Sequence, residues 1–291
     1  MAISLSKVSF AYEKSRKTGP LYVLKGIDLM IDTEKNDFIT IIGHTGSGKS
    51  TLVQLFNGLL TPSSGEVNVF NKIISSKKKT KLKEIRKRVG LVFQFPEYQL
   101  FEETVLKDVM FGPKNYGLDN IENRAKDALK SVGISEELFN ESPFSLSGGQ
   151  MRRVAIAGIL ASSPDVLIFD EPTVGLDPKG KKELLDLLEK LNKVDNKTII
   201  FITHDMEVVA KAATRVLVLD NGNISFDGTK DELFRNEKIV SDNSLILPST
   251  IRILKDIKEK LNLDIDIYKY SVNDAYLELE RALGGQKWMV K

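Results

Sequence analysis

Two short stretches bring together residue types suited to phosphate chemistry. "GHTGSGKST", Gly43 to Thr51, follows the apolar run "DFITII" and opens the helical pattern "KSTLVQLFNGLL". That is the spacing of a phosphate-binding loop between a strand and a helix. Gly43, Gly46 and Gly48 let backbone N–H groups converge on anionic oxygens, and the helix directs its positive end at them. Lys49 is placed to reach β and γ phosphates and Ser50 to ligate Mg²⁺, with Thr45 and Thr51 completing the binding set. His44, at a variable position of the loop, reads as a surface residue. "DVLIFDE", Asp165 to Glu171, is a buried-strand pattern ending in two carboxylates. Beside a phosphate loop, Asp170 belongs to the Mg²⁺ shell and Glu171 is free to polarise a water for attack on a γ phosphate.

A third stretch, "SLSGGQMRRVAIAGILA" from Ser145, begins with a natural N-cap, Ser147, and exposed glycines Gly148 and Gly149, then turns apolar at helical spacing. It is a second helix N-terminus suited to an anion. One γ phosphate does not need two such loops from one compact site. The economical solution is a dimer in which ATP lies between the phosphate loop of one chain and the Ser147 loop of the other.

The elements that must position these groups are short apolar strands alternating with helical patterns: "LKGIDLMI", "DFITII", "GEVNVF", "VGLVF", "DVLIF", "TIIFIT" and "RVLVLD". Runs apolar at consecutive positions are expected of parallel strands covered on both faces, so the fold class is α/β. The first strands alternate more and predict a small antiparallel sheet. Residues 121–160 read as helical, the core of an inserted helical subdomain at about 95–163. Near Phe234 the composition shifts, and the remainder reads as two helices around a short strand, a small C-terminal α+β domain over 236–291. The tail "GQKWMVK" reads as disordered.

Lys plus Arg at 42 against Asp plus Glu at 40 gives a net charge of +2, so no global field draws the chain to nucleic acid or an anionic membrane. The charge run "KKKTKLKEIRKR", Lys77 to Arg88, lacks interleaved aromatics and reads as a solvated face. The lack of cysteine excludes thiolate catalysis and Cys-based zinc sites, and having only two histidines, His44 and His204, disfavours a His-ligated metal cluster. The start "MAISLSKVSF" lacks the pattern of a secretory signal, and the apolar runs are far shorter than a membrane span. The expectation is a cytosolic protein whose membrane part, if any, is another chain.

"LSGGQ", together with "GHTGSGKST" and "VLIFDE" in this order, resembles the ATPase subunits of ABC transporters up to about Phe234. The resemblance implies a P-loop, RecA-like core over 1–235, cofactors ATP and Mg²⁺, and further roles. Tyr12 matches the aromatic that stacks on adenine, and Gln94 the glutamine that senses Mg²⁺ and the attacking water. Asp177 in "VGLDP" matches the aspartate that crosses the dimer interface, and His204 the switch histidine at the γ phosphate. Glu171, His204 and Gln94 are then the catalytic set; Ser50, Gln94 and Asp170 hold Mg²⁺; Ser147 and Gly149 serve the partner's nucleotide.

The segment "QFPEYQLFEETVLKDVMFGPKNYG" is similar to that of energy-coupling factor (ECF) transporter ATPases, in particular the A-prime member of their pairs. That likeness implies uptake of vitamins or other micronutrients, with the chain on the cytoplasmic side of the membrane. Its partners are then a second, unlike ATPase held partly by the C-terminal domain, a transmembrane coupling protein, a membrane-embedded substrate-binding subunit, and no nucleic acid. Phe95, Tyr98, Leu100 and Phe101 are expected to line a groove for a coupling helix at Phe95–Thr104, with Glu97, Glu102 and Glu103 facing its basic residues. Val174 stands where alanine is usual, and "EKSRKTGP" is an insertion in the first hairpin. The alternatives are the ATPase of a cobalt, nickel or export transporter, or a non-transport ABC protein. The last is disfavoured because neither a long coiled coil nor a second cassette is present.

Overall fold

The computed structural model describes residues 3–12, 14–15, 19–77 and 80–284. The tail 285–291, expected to be disordered, lies outside the described residues, as do parts of the insertion at 13–20 and of the basic run. The chain opens with β1 (Ile3–Phe10), the two-residue pair β2 (Lys14–Ser15) and β3 (Gly19–Pro20), and β4 (Leu24–Ile31). Then come β5 (Phe38–Ile42), α1 (Lys49–Phe56), β6 (Ser64–Val69), β7 (Lys72–Ile74), α2 (Lys83–Arg88) and β8 (Val89–Val92). Helices α3 (Val105–Tyr116), α4 (Ile121–Ser131) and α5 (Gly148–Leu160) follow without an intervening strand. The chain re-enters the sheet with β9 (Val166–Asp170), α6 (Pro178–Lys193), β10 (Thr198–Ile202), α7 (Met206–Ala212), β11 (Arg215–Asp220) and β12 (Asn223–Gly228). Helices α8 (Lys230–Arg235), α9 (Glu237–Asp242), α10 (Ser249–Leu261) and α11 (Val272–Ala282) end the described chain.

The main sheet has the order β12-β11-β5-β10-β9-β8 and is parallel apart from its β12 edge. Every residue of β5, β9 and β10 is buried, as their unbroken apolar runs require. Alternate side chains feed opposite faces. Ile39, Ile41, Ile168 and Ile200 pack with α1 and the antiparallel sheet β4-β1-β6-β7, while Phe38, Phe169 and Phe201 pack towards α5 and α6. These three rings lie 6.0 and 6.5 Å apart, and each contributes roughly 2–3 kcal/mol by leaving water. The antiparallel sheet alternates buried and exposed residues because only one of its faces meets the core.

Helices α3, α4 and α5 start where local chemistry allows. Thr104 caps α3 by accepting from the Lys107 N–H, and Gly117, at φ +69°, ends it. Ser147 and Gln150 form a reciprocal capping box at the start of α5.

The C-terminal part departs from expectation. Helices α10 and α11 are present, but among the described residues the segment between them forms no strand. Its N–H groups are met locally instead. Asp266 donates to the Glu278 carboxylate at 2.7 Å, Tyr268 to the Asp266 side chain and Lys269 to the Ile267 carbonyl. The β-like composition of "DIDIYKY" reflects packing: Ile265 is buried, and Ile267, Tyr268 and Tyr270 lie against a cluster containing Phe234 and Ile251.

The Arg281 guanidinium, and then the Asp266 N–H, hold the Glu278 carboxyl down at about 2, against an ordinary value of 4.5. The native carboxyl is the stronger acid, so this anchor is present above pH 4.5 and is lost as pH falls through about 2. Hydrogen exchange at the Asp266 amide should lose protection across that window. Glu278→Gln should show the reduced protection already at pH 7, with little further change on acidification.

Candidate functional site

The phosphate loop lies between β5 and α1. At Gly43, φ +144°, a Cβ would fall 2.1 Å from the Leu219 carbonyl oxygen, so only glycine lets the loop leave the sheet beside β11. His44, Thr45 and Gly46 crown the loop and are exposed. Lys49 turns back under it, donating at 2.8 Å to both the Gly43 and His44 carbonyls. Burial pushes its ammonium down from the ordinary value, and the Glu171 and Asp170 carboxylates oppose that shift. A buried cation held by two carbonyls that phosphate oxygens can replace is a ready anion site. Tyr12 stands beside the loop. Its hydroxyl bonds Thr51 Oγ1 at 2.9 Å, Phe10 meets its ring edge-on at 4.9 Å, and the ring is 61% exposed.

The parallel register brings the other polar groups to the same rim. Asp170 ends β9, buried and hydrogen-bonded with Ser50. Burial raises its carboxyl above the ordinary range, with Ser50 pulling the other way. Glu171 follows with φ +48°, a left-handed conformation costing about 1–3 kcal/mol in a non-glycine residue. Its N–H donates to the Ile202 carbonyl at 3.2 Å, which brings its carboxylate to 3.6 Å from Nδ1 of exposed His204. Gln94 lies two residues beyond Val92, the partner of Phe169 in the β8–β9 ladder. The Ser50 hydroxyl and the Asp170 carboxylate, hydrogen-bonded to each other, are hard oxygen donors of the kind Mg²⁺ takes, and the Gln94 amide oxygen is a donor of the same class. Among the described residues no group of three or more His, Cys, Asp or Glu side chains could hold a metal by itself.

Ser147 and Gly149 do not join this rim. Gly149, Gly175 and Asp177 line a separate cleft of about 850 Å³ that no phosphate-loop residue lines, and Ser147 caps the helix that carries Gly149. Exposed Asp177 caps α6 by accepting from the Gly180 N–H at 2.8 Å. The helix starts at Lys49 and Gly148 therefore do not line one cleft.

The segment after Gln94 corrects two expectations. Glu97 is not offered to a partner. Its carboxylate takes a two-pronged bond from buried Arg152, at 3.0 and 3.1 Å. Leu100 is core, 5% exposed, because it closes the space under α3. Phe95, Tyr98 and Phe101 do remain at the surface, Tyr98 being 84% exposed. Glu103 pairs with Lys107 one turn on, a solvent-exposed contact of small worth. Phe101 and Phe111 meet edge-to-face at the rim of a groove of about 420 Å³, which Phe93, Arg86 and Lys87 also line. The end of the basic run, with Arg86 and Arg88 exposed as expected, also borders this groove.

Residues 24–174, just over half of the chain, match the family described as ABC transporter. The chain belongs to that family. It is an ABC ATPase, and its likeness extends well past the matched segment. The energy-coupling factor transporter ATP-binding protein EcfA2 of Caldanaerobacter subterraneus subsp. tengcongensis is 45% identical over 289 residues, 99% of each chain. EcfA2 of Bacillus subtilis is also 45% identical, over 89% of this chain and 95% of that protein. Among solved structures, CbiO1 of Clostridium perfringens, described as part of the ABC transporter complex CbiONQ, superposes with TM-score 0.69. It is 39% identical and covers 87% of this chain and 96% of its own. The cassette MJ0796, solved as a dimer bound to ADP and Pi, gives TM-score 0.66 at 31% identity over 78% of this chain and 98% of its own.

Three residues of this ABC ATPase escaped the motif reading. Arg152 spans from Glu97 to the Pro172 and Val174 carbonyls. Buried Asp108 accepts from the Phe101 and Glu102 N–H groups at 2.8 and 3.0 Å and pins the 100–104 loop. Asp205, cap of α7, pairs closely with Lys181 of α6 and so ties the His204 turn to the helix after Asp177. Burial works to raise the Asp205 carboxyl, but Lys181 and the Glu207 and Val208 N–H groups together hold it below the usual carboxylate range. One signal was available: Arg152 falls four residues before buried Ile156, on the core face of α5.

Two variants should separate scaffold from ligand contact. Gly43→Ala should cost at least about 2 kcal/mol in denaturant unfolding, since backbone must move. Lys49→Ala should unfold near the wild-type denaturant concentration yet bind ATP at least about tenfold more weakly in a titration.

Proposed function

We propose that the chain is the ATP-hydrolysing subunit of an energy-coupling factor transporter, driving micronutrient uptake through a membrane complex from its cytoplasmic face. The observation that carries this reading is the 45% identity to EcfA2 across 289 residues, which includes the C-terminal helices as well as the cassette. In this reading residues 1–235 are the nucleotide-binding domain, with a helical subdomain at about 95–163, and 236–291 serve dimerisation.

Lys49, the loop N–H groups and Thr45, Gly46, Gly48 and Thr51 take the phosphates of ATP, while Tyr12 stacks on the base. Ser50, Asp170 and Gln94 hold Mg²⁺, which neutralises charge on the β and γ phosphates when bound. Glu171 orients and deprotonates the attacking water, and His204, 3.6 Å away, holds Glu171 and the γ phosphate in register. Ser147, Gly149 and Asp177 act on the nucleotide of a second ATPase. Support for this comes from their separation from the phosphate loop and from the dimeric MJ0796 cassette. The second ATPase is an unlike subunit. The exposed aromatics Phe95, Tyr98 and Phe101, of which Phe101 lines the groove, receive a helix of the transmembrane coupling protein, which works with a substrate-binding membrane subunit; exposed aromatics are typical binding anchors. Among the described residues no helix is long and apolar enough to cross a membrane. The likeness to CbiO1 supports a second reading, the ATPase of a CbiONQ-type importer. Mass spectrometry of the complex purified from native membranes distinguishes the two by the companion subunits.

Glu171→Gln should lower steady-state hydrolysis at least about 100-fold while ATP-bound dimers accumulate on gel filtration. Undiminished phosphate release would remove Glu171 from its role. Replacing Tyr98 and Phe101 together by serine should leave ATP binding intact and release the protein from washed membranes; full retention would count against the groove.

A further inference from the structure

Arg152 is 6% exposed and uses four hydrogen bonds to join three segments. Nε and Nη2 grip the Glu97 carboxylate at 3.1 and 3.0 Å, three residues after Gln94. Nη1 donates to the Pro172 carbonyl at 3.1 Å and the Val174 carbonyl at 3.0 Å, one and three residues after Glu171. Arg152 itself lies on the first turn and a half of α5, the helix that Ser147 caps. A planar guanidinium with fixed donor directions constrains all three segments to one relative placement.

The turn it holds needs holding. Glu171 sits at φ +48°, and its own carbonyl accepts from the Val174 N–H at 3.2 Å, closing a tight turn. A conformation of this kind persists only when its surroundings over-determine it. The Arg152 bonds to the carbonyls on either side of Thr173 supply that constraint, and the Glu97 bond ties the constraint to the segment bearing Phe95, Tyr98 and Phe101.

We infer that Arg152 is a positioning residue for ATP hydrolysis: through Pro172 and Val174 it sets the Glu171 carboxylate, and through Glu97 it makes that setting depend on the surface segment Phe95–Thr104. This rests on Glu171 acting on the attacking water as proposed. ATP itself is gripped by groups Arg152 does not touch, so the clasp bears on turnover and not on affinity. Glu97 adds no contact to the nucleotide either, and its loss acts by the same route at one remove.

The test compares Arg152→Lys and Glu97→Gln with the wild-type protein, because removing the arginine outright would leave a largely buried carboxylate and two carbonyls unpartnered and endanger folding. Lysine keeps the charge but cannot span carboxylate and carbonyls together; glutamine keeps the shape but not the charge. ATP hydrolysis is measured below the unfolding temperature of every variant and normalised to the sites that bind a fluorescent ATP analogue. The expected result is a kcat at least tenfold lower for R152K and a smaller fall for E97Q, with KM for ATP within twofold of wild type. A purely structural arginine predicts loss of binding-competent protein with unchanged kcat per site, and that result overturns the inference. So does a rise in KM that accounts for the whole loss. E171Q run alongside separates the two claims: turnover surviving in E171Q overturns the role of Glu171, whereas inactive E171Q with fully active R152K overturns the clasp alone.

Discussion

Because β5, β9 and β10 are buried on both faces, nothing polar can project from the middle of the main sheet without losing its water, and every reactive group is driven to the rim where the strands end. The phosphate loop, Asp170, Glu171 and His204 occupy that rim because their strands are neighbours and run in one direction. The dry interior then sets their electrostatics. Burial disfavours both the Lys49 ammonium and the Asp170 carboxylate, and each is relieved in part by the other. A polyphosphate with its cation supplies the charges this arrangement lacks.

Rigidity at the rim comes from unlike devices. Gly43 solves a close approach to Leu219 by having no side chain, whereas Glu171 keeps its side chain and accepts a left-handed backbone. Around the second, Arg152 and the Lys181–Asp205 pair tie the turns after β9 and β10 to α5 and α6. The Arg152 tie crosses between the sheet and the helices inserted into it, so a shift of the helical part reaches the turn that carries Glu171, while the Lys181–Asp205 pair fixes the His204 turn to α6.

The motifs were legible in the linear sequence because each is local. A loop of fixed length between a strand and a helix aims its own N–H groups, and "GHTGSGKST" and "SLSGGQ" contain all the residues needed for that. The apolar runs disclosed the parallel sheet for the same reason. The extended segment after α10 was misread as a strand, since β-branched and aromatic residues serve equally to cover a hydrophobic cluster without a ladder. Glu97 was misread as a surface charge because its partner lies 55 positions away.

By itself, then, the sequence determined the chemistry on offer: a phosphate loop, a pair of carboxylates after a buried strand, a capped second helix and the family they define. Short-range sterics and hydrogen bonding are enough to specify such units. Tertiary structure alone decided which of them meet. It set Glu171 beside His204, kept the Ser147 helix away from the phosphate loop, and gave Glu97 to Arg152 and not to the surface. Those outcomes depend on strand order and on the partners available to each buried charge, and neither is written in any local stretch of residues.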